Sequence, residues 1–140
     1  MGSVAGGPRG DDSDGARAAL SFINAFNRQD PEALAKVLDP EVVIHSEKGT
    51  HYGLEEALAW ARRVETGELE QRIEIDRIES AGDRAVALIR RQWWWRDENA
   101  LAREDEMAWG FELRDGKVRS WRPFQDRAAA LAQMSGSSRP

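Results

Sequence analysis

The chain of 140 residues has no cysteine, which removes disulfide frameworks and thiolate metal sites together. It has one tyrosine and two histidines, so proton transfer near neutral pH has few candidate groups. No apolar run approaches the ~18 residues that a membrane span needs. The opening "MGSVAGGPRGDDSDG" has no hydrophobic block behind its arginine, so no signal peptide is expected. A concentrated basic face is also missing. The 20 Lys and Arg are interspersed with 25 Asp and Glu for a net charge of −5, which argues against a nucleic-acid partner. No internal repeat is visible. The expectation is a soluble, cytoplasmic protein with no membrane partner.

What is present is enough for one domain with its own core. Residues 1–12 and 135–140 are rich in Gly, Ser, Pro and charge and read as disordered tails around a single domain over 13–134. A helix should start at Ser13 or Asp14, with Ala16, Ala19, Leu20, Ile23 and Phe26 on one face. Asp30 and Pro31 cap and open a short second helix, and Asp39-Pro40 stops it. "EVVIHS" (41–46) reads as a strand, "EKGTHYG" as a loop, and Leu54 to Val64 as a third helix with Trp60 beside its apolar stripe. From Leu69 the period becomes two and slips near Ile78, as at a bulge. Four antiparallel strands follow one another, the last two joined at Asp115-Gly116, the strongest hairpin signal in the chain. "QDRAAALAQM" closes as a helix capped by Asp126. Segregated helices and strands imply an α+β fold.

Three segments, "AFNRQDPEALAKVLDPEVVIHS", "HYGLEEALAWAR" and "FELRDGKVRSWRPFQDRAAAL", resemble the NTF2-like superfamily and, within it, SnoaL-like proteins. The resemblance covers roughly Ala18 to Met134. It implies a cystatin-like cone, a curved antiparallel sheet wrapped around the N-terminal helices with an internal pocket. It also implies a homodimer formed through the outer sheet face. Ketosteroid isomerases, limonene-epoxide hydrolases, scytalone dehydratases, polyketide cyclases and non-catalytic binding domains share this fold, so the fold alone does not select an activity. Most catalytic positions of those enzymes do not carry over. The isomerase's oxyanion tyrosine falls on Phe22, its general base at or beside His45 (on Ser46 without a gap), and its second aspartate near Trp109. The epoxide hydrolase's arginine falls on Arg90, but its two aspartates fall on Gln92 and Pro123.

"RRQWWWRD" (90–97) then has to be assigned faces. As a strand it sends Trp93 and Trp95 one way and Trp94 the other. If Arg90 faces the pocket, as the resemblance implies, Leu88, Gln92 and Trp94 face it too, opposite Asp105, Met107, Trp109, Phe111 and Trp121. Trp93 and Trp95 would then lie on the outer face at a dimer interface, where aromatics are enriched. Phe22, Tyr52 and Trp60 complete the expected pocket. The plain alternative is that each tryptophan only packs the core. Arg91 and Arg96 read as structural, stacking on indoles or pairing with Glu104 and Glu106. His45 is the expected acid–base group, with Asp105 as a second, buried carboxylate among indoles and Arg90 as the oxyanion holder. His45, Glu47 and His51 have no metal-site spacing, and neither metal nor cofactor is expected.

Three functions compete. One is a cofactor-independent enzyme moving a proton on a small, largely apolar cyclic, polyketide- or terpenoid-like metabolite, in an isomerisation, cyclisation, dehydration or hydrolysis. The second is a Trp-lined binding domain without chemistry. The third is a structural dimer with a filled interior. The first is favoured because several polar groups are expected inside.

Overall fold

The computed structural model describes residues 10–62 and 68–136, apart from the side chains of 10–13 and 134–136. Helices α1 (Gly10–Arg28) and α2 (Pro31–Val37) lead into strands β1 (Leu38–Ser46) and β2 (Gly49–Tyr52). Helix α3 (Gly53–Ala61) is followed by β3 (Leu69–Ala81), β4 (Arg84–Trp95), β5 (Ala100–Arg114), β6 (Lys117–Phe124) and α4 (Arg127–Gly136). The expected tails lie outside the described residues at 1–9 and 137–140, as does the expected end of the third helix at 63–64. Helix α1 starts within the stretch read as a tail, and the stretch read as a loop after Ser46 contains β2. Four residues are too few to show a period, which is why β2 is hidden in the sequence.

Local chemistry sets the ends of these elements. Asp30 Oδ1 accepts the Ala33 N–H at 3.1 Å with Pro31 behind it, and Asp126 Oδ1 accepts the Ala128 N–H at 2.9 Å. Asp115 and Gly116 both hold positive φ, 54° and 80°, the pair that a two-residue hairpin turn requires.

The sheet has the order β2-β1-β6-β5-β4-β3. It is mixed rather than wholly antiparallel, because β1 runs parallel to β6. Its inner face wraps α1 and α3 over a core that includes Phe22, Ile23, Val42, Ile44, Ile89 and Val118, all with no exposed surface. Burying a side chain of that size contributes about 1.5–3 kcal/mol. The outer face of the sheet is covered in part by α4: Val86, Leu88 and Ala108 pack against Ala130, Leu131 and Phe124. Residues Ala85 to Ile89 are therefore buried on both faces, and no alternation of apolar and polar marks which side is which.

Two bulges decide the faces. In β3 the register slips between Ile75 and Arg77, so Ile73, Ile75 and Ile78 all turn inward and Asp76 is displaced to the outside. In the β4–β5 hairpin Trp94 pairs with Leu101, but Trp93 pairs with Arg103, leaving Ala102 as an extra residue. Without it, even positions of β4 would oppose odd positions of β5. With it, Ile89 opposes Met107 and Arg91 opposes Asp105. One unpaired residue thus turns the whole of β4 over relative to the sequence expectation.

Candidate functional site

A cavity of about 380 Å³ opens on the inner face. Its apolar wall is a stack of three indoles. Trp60 from α3 lies 4.6 Å, centroid to centroid, from Trp121 of β6, and Trp121 lies 5.1 Å edge-on from Trp109 of β5. Phe26 and Met107 extend this wall. The polar lining comes from two flanks of the inner face: Ser46, Glu47, Lys48 and His51 from the β1–β2 hairpin, and Gln71 and Arg91 from β3 and β4.

Register explains these positions. His51 pairs with Ile44 across the hairpin, and Ile44 pairs with Trp121 across the parallel β1–β6 junction. The three residues form one row on the inner face, which brings His51 and Trp121 to the same end of the cavity. His51 Nε2 meets Ser46 Oγ at 3.4 Å, while Ser46 Oγ donates to the Gly49 carbonyl at 2.8 Å. With the hydroxyl hydrogen so engaged, the His51 tautomer that fits this contact carries its proton on Nε2 and leaves the Nδ1 lone pair free. Two buried donors in the cavity wall have no hydrogen-bond partner among the described residues, Trp121 Nε1 and Arg91 Nε. A buried donor left unpaired costs ~1–3 kcal/mol. Both residues line the cavity, but these two nitrogens are themselves covered by neighbouring atoms, so a ligand oxygen meets them only when the side chain turns.

Several expected site residues are elsewhere. Leu88, Arg90, Gln92 and Trp94 lie on the outer face, the correction that follows from the Ala102 bulge. Leu88 is buried beneath α4. Arg90 Nε reaches both carboxylate oxygens of Asp76 at 3.1 and 3.0 Å, with Glu104 and Glu106 beyond. Gln92 donates to Glu74 and Glu104 and accepts from Trp94 Nε1 at 3.0 Å, and Arg72 stacks on the Trp94 ring. Asp76 also binds Arg127, which donates to the carbonyls of Ile89 and Met107 and so pins α4 to the sheet. Hydrogen bonds from Arg127 and then Arg90 hold the Asp76 carboxyl below its usual range.

His45 faces outward beside Arg122, opposite to Ile44. Partial burial and then the Arg122 charge keep its imidazole less basic than usual, and because it faces outward it does not line the cavity. Tyr52 is exposed at the start of α3, where its backbone N–H meets Glu56, and does not line the cavity. Phe22 and Phe111 are core beneath the tryptophans, in edge contact at 5.2 Å. Trp60, Met107, Trp109 and Trp121 do line the cavity. Asp105 faces inward, but its carboxylate is shared by Arg91 at 3.5 Å and Arg103 at 3.2 Å. Trp93 lies on the inner side between these same arginines, whose guanidinium carbons are 4.8 and 4.7 Å from the ring centroid. The expected outer-face pair of Trp93 and Trp95 is therefore not an outer-face pair. Arg91 stacks on an indole as expected, but its acidic partner is Asp105, while Glu104 and Glu106 serve Arg90.

Sequence reasoning passed over His51, Ser46 and Arg91 as cavity residues. The available signal was the pair Glu47-Lys48, which makes a two-residue turn between Ser46 and Gly49 and fixes His51 opposite Ile44. It also passed over Asp39, read only as a helix stop. Asp39 is buried and takes two hydrogen bonds from Arg114, at 3.0 and 2.9 Å, which hold its carboxyl below the usual range. This ion pair ties the start of β1 to the end of β5. Among the described residues no group of three His, Asp or Glu side chains could hold a metal ion, and no helix is long and apolar enough to cross a membrane.

With this geometry in hand, the family model of the SnoaL-like domain matches residues 19–121. The chain belongs to the SnoaL-like family. No functionally curated protein matches it. Solved structures of similar fold include an LEH-like epoxide hydrolase of M. tuberculosis, 19% identical, covering 91% of this chain and 98% of that one, with a TM-score of 0.68. A candidate polyketide cyclase of Xanthomonas campestris is 16% identical over 89% and 98%, also at 0.68. A protein of ketosteroid isomerase-like fold from Catenulispora acidiphila, in complex with trimethylamine, is 18% identical over 84% and 92%, at 0.64. At these identities the likeness is one of fold: a SnoaL-like, NTF2-like cone with a curved, unclosed sheet.

Proposed function

We propose that this SnoaL-like protein is an enzyme that moves a proton on a small, largely apolar ring compound held against Trp60, Trp109 and Trp121. The observation that carries the reading is the row His51–Ile44–Trp121, which sets a basic imidazole and an unpartnered indole N–H at one end of the same cavity. A ring carbonyl accepts the Trp121 N–H once the indole turns to present it. His51 Nδ1 takes a proton from the adjacent carbon, the electron pair moves onto the carbonyl oxygen, and the indole stabilises the enolate. Return of the proton to a second carbon completes an isomerisation. The same pair serves a cyclisation or a dehydration, where the enolate attacks a carbon or expels a hydroxyl.

A panel of cyclic ketones, lactones and epoxides in deuterated water tests this, with deuterium uptake and product followed by mass spectrometry. Turnover should fall about 100-fold or more in His51→Ala and about 10-fold or more in Trp121→Phe. Turnover indifferent to both substitutions contradicts the reading.

A second reading, a binding domain without chemistry, is favoured by one observation. The only carboxylate among the described lining residues is the exposed Glu47, and Phe22 has no hydroxyl where the resemblance places one. Tight binding with no deuterium uptake selects it. The Catenulispora neighbour is a complex with a small cation. Arg91 in the wall argues against a cation here.

A further inference from the structure

The two unpartnered donors do not share a place. Arg91 is opposite Asp105 and Trp121 is opposite Phe111, six positions apart on β5 (111 − 105), about 20 Å of extended strand. One oxygen atom cannot accept from both. The cavity therefore has two polar poles separated by an apolar wall, and the pole at Arg91 differs from the other in charge. Arg91 and Arg103 share the single carboxylate of Asp105, so one positive charge of that cluster is not offset among the described residues. Lys48 and Glu47, of opposite charge, also line the cavity. Trp93, held between the two guanidiniums, fixes their planes, and Asp105 occupies Arg91 at Nη2 only. Arg91 Nε–H is left buried and unpaired.

We infer that the compound held in this cavity carries a carboxylate, or an oxyanion of the same charge, at the end beside Arg91. This rests on the proposal that the cavity takes a small ring compound, and adds its class: a ring acid. The carboxylate pairs with the Arg91 guanidinium and offsets its charge, while the ring lies along the indoles. A charge-assisted hydrogen bond at a fixed guanidinium discriminates against the neutral amide.

The test is a calorimetric titration of the whole protein with three probes: 1-tetralone bearing a ring carboxylate, the same compound with a primary carboxamide in its place, and plain 1-tetralone. The carboxylate should bind about tenfold or more tighter than the carboxamide. In Arg91→Gln that preference should shrink to under about threefold while the carboxamide keeps its affinity, and Arg90→Gln should retain the preference. Equal binding of carboxylate and carboxamide to the wild type overturns the inference and leaves the ring-compound cavity standing. A preference that survives intact in a folded Arg91→Gln overturns it as well. Failure of all three probes to bind overturns the cavity reading and the inference with it. Should Arg91→Gln not fold, the nitrogen-15 signal of Arg91 Nε–H in the wild type decides. Movement with the carboxylate but not the carboxamide supports the inference, and a signal unmoved by the carboxylate refutes it.

Discussion

Arg90 and Arg91 are neighbours in sequence and opposites in circumstance. Arg90, on the outer face of β4, has three acidic partners within 4 Å, and its guanidinium is held more firmly charged by Asp76. Arg91, on the inner face, shares one carboxylate and keeps a buried nitrogen unpaired. The tryptophans divide the same way. Trp94 outside gives its N–H to Gln92, whereas Trp121 inside gives its N–H to nothing among the described residues. Among the described residues, the buried side-chain donors and acceptors of the outer face are all paired and two on the inner face are not. Completed networks hold a fold together, and incomplete ones in a cavity mark where a ligand supplies the missing partner.

The contrast can be broken most severely from the inside. Trp109 is buried and touches Phe22, Phe26 and Trp121 edge-on. Trp109→Ala should cost about 3–5 kcal/mol in urea unfolding and abolish ligand binding, since it empties the wall. A loss under 1 kcal/mol would mean that this wall is not packed as described.

The next effect belongs to the outer network. Asp76→Asn removes the shared partner of Arg90 and Arg127 and should cost about 1–2 kcal/mol, discounted for partial exposure. Amide exchange should quicken in α4, and ligand affinity should not change. If affinity drops as far as stability does, the two faces are not independent. Acid titration probes the same network. Asp76 and Asp39 have folded values below the ordinary 3.8, so the unfolded chain takes up protons first as the pH falls. Their contribution is complete above about pH 4 and is lost as the pH drops through the lower folded values. Asp39→Asn and Asp76→Asn should each flatten the stability curve below pH 4, and from pH 5 to 8 should lower it by a constant amount without changing its slope.

The smallest effect is at Trp94. Trp94→Phe removes the N–H that the buried Gln92 Oε1 accepts and should cost about 0.5–1 kcal/mol, without touching ligand binding.

These faces also show what the sequence could and could not convey. The starts of α2 and α4, the Asp115-Gly116 turn, the slip near Ile78 and the α+β order are written in local chemistry, and the structure places them there, whereas α1 begins earlier than its caps suggest. The inward face of β5 was readable because Met107, Trp109, Phe111 and Leu113 alternate with smaller or polar residues. Strand β4 was not readable. Its first half is apolar on both sides because helices cover both, and its second half carries arginine and tryptophan on both. Its face then had to come from pairing, and the pairing hinges on Ala102, an alanine with no mark of a bulge. His45 failed as the base for a related reason: one step along β1 separates it from Ile44 and Ser46, which face the other way.

The most direct test follows the six indole N–H signals of the nitrogen-15-labelled protein as a ring ketone is added. Trp60, Trp109 and Trp121 should shift, Trp121 the most because it gains its first acceptor, while Trp94 stays fixed. A ligand that moves Trp94 and leaves Trp121 untouched would place the site on the outer face and contradict the assignment made from the sheet's two sides.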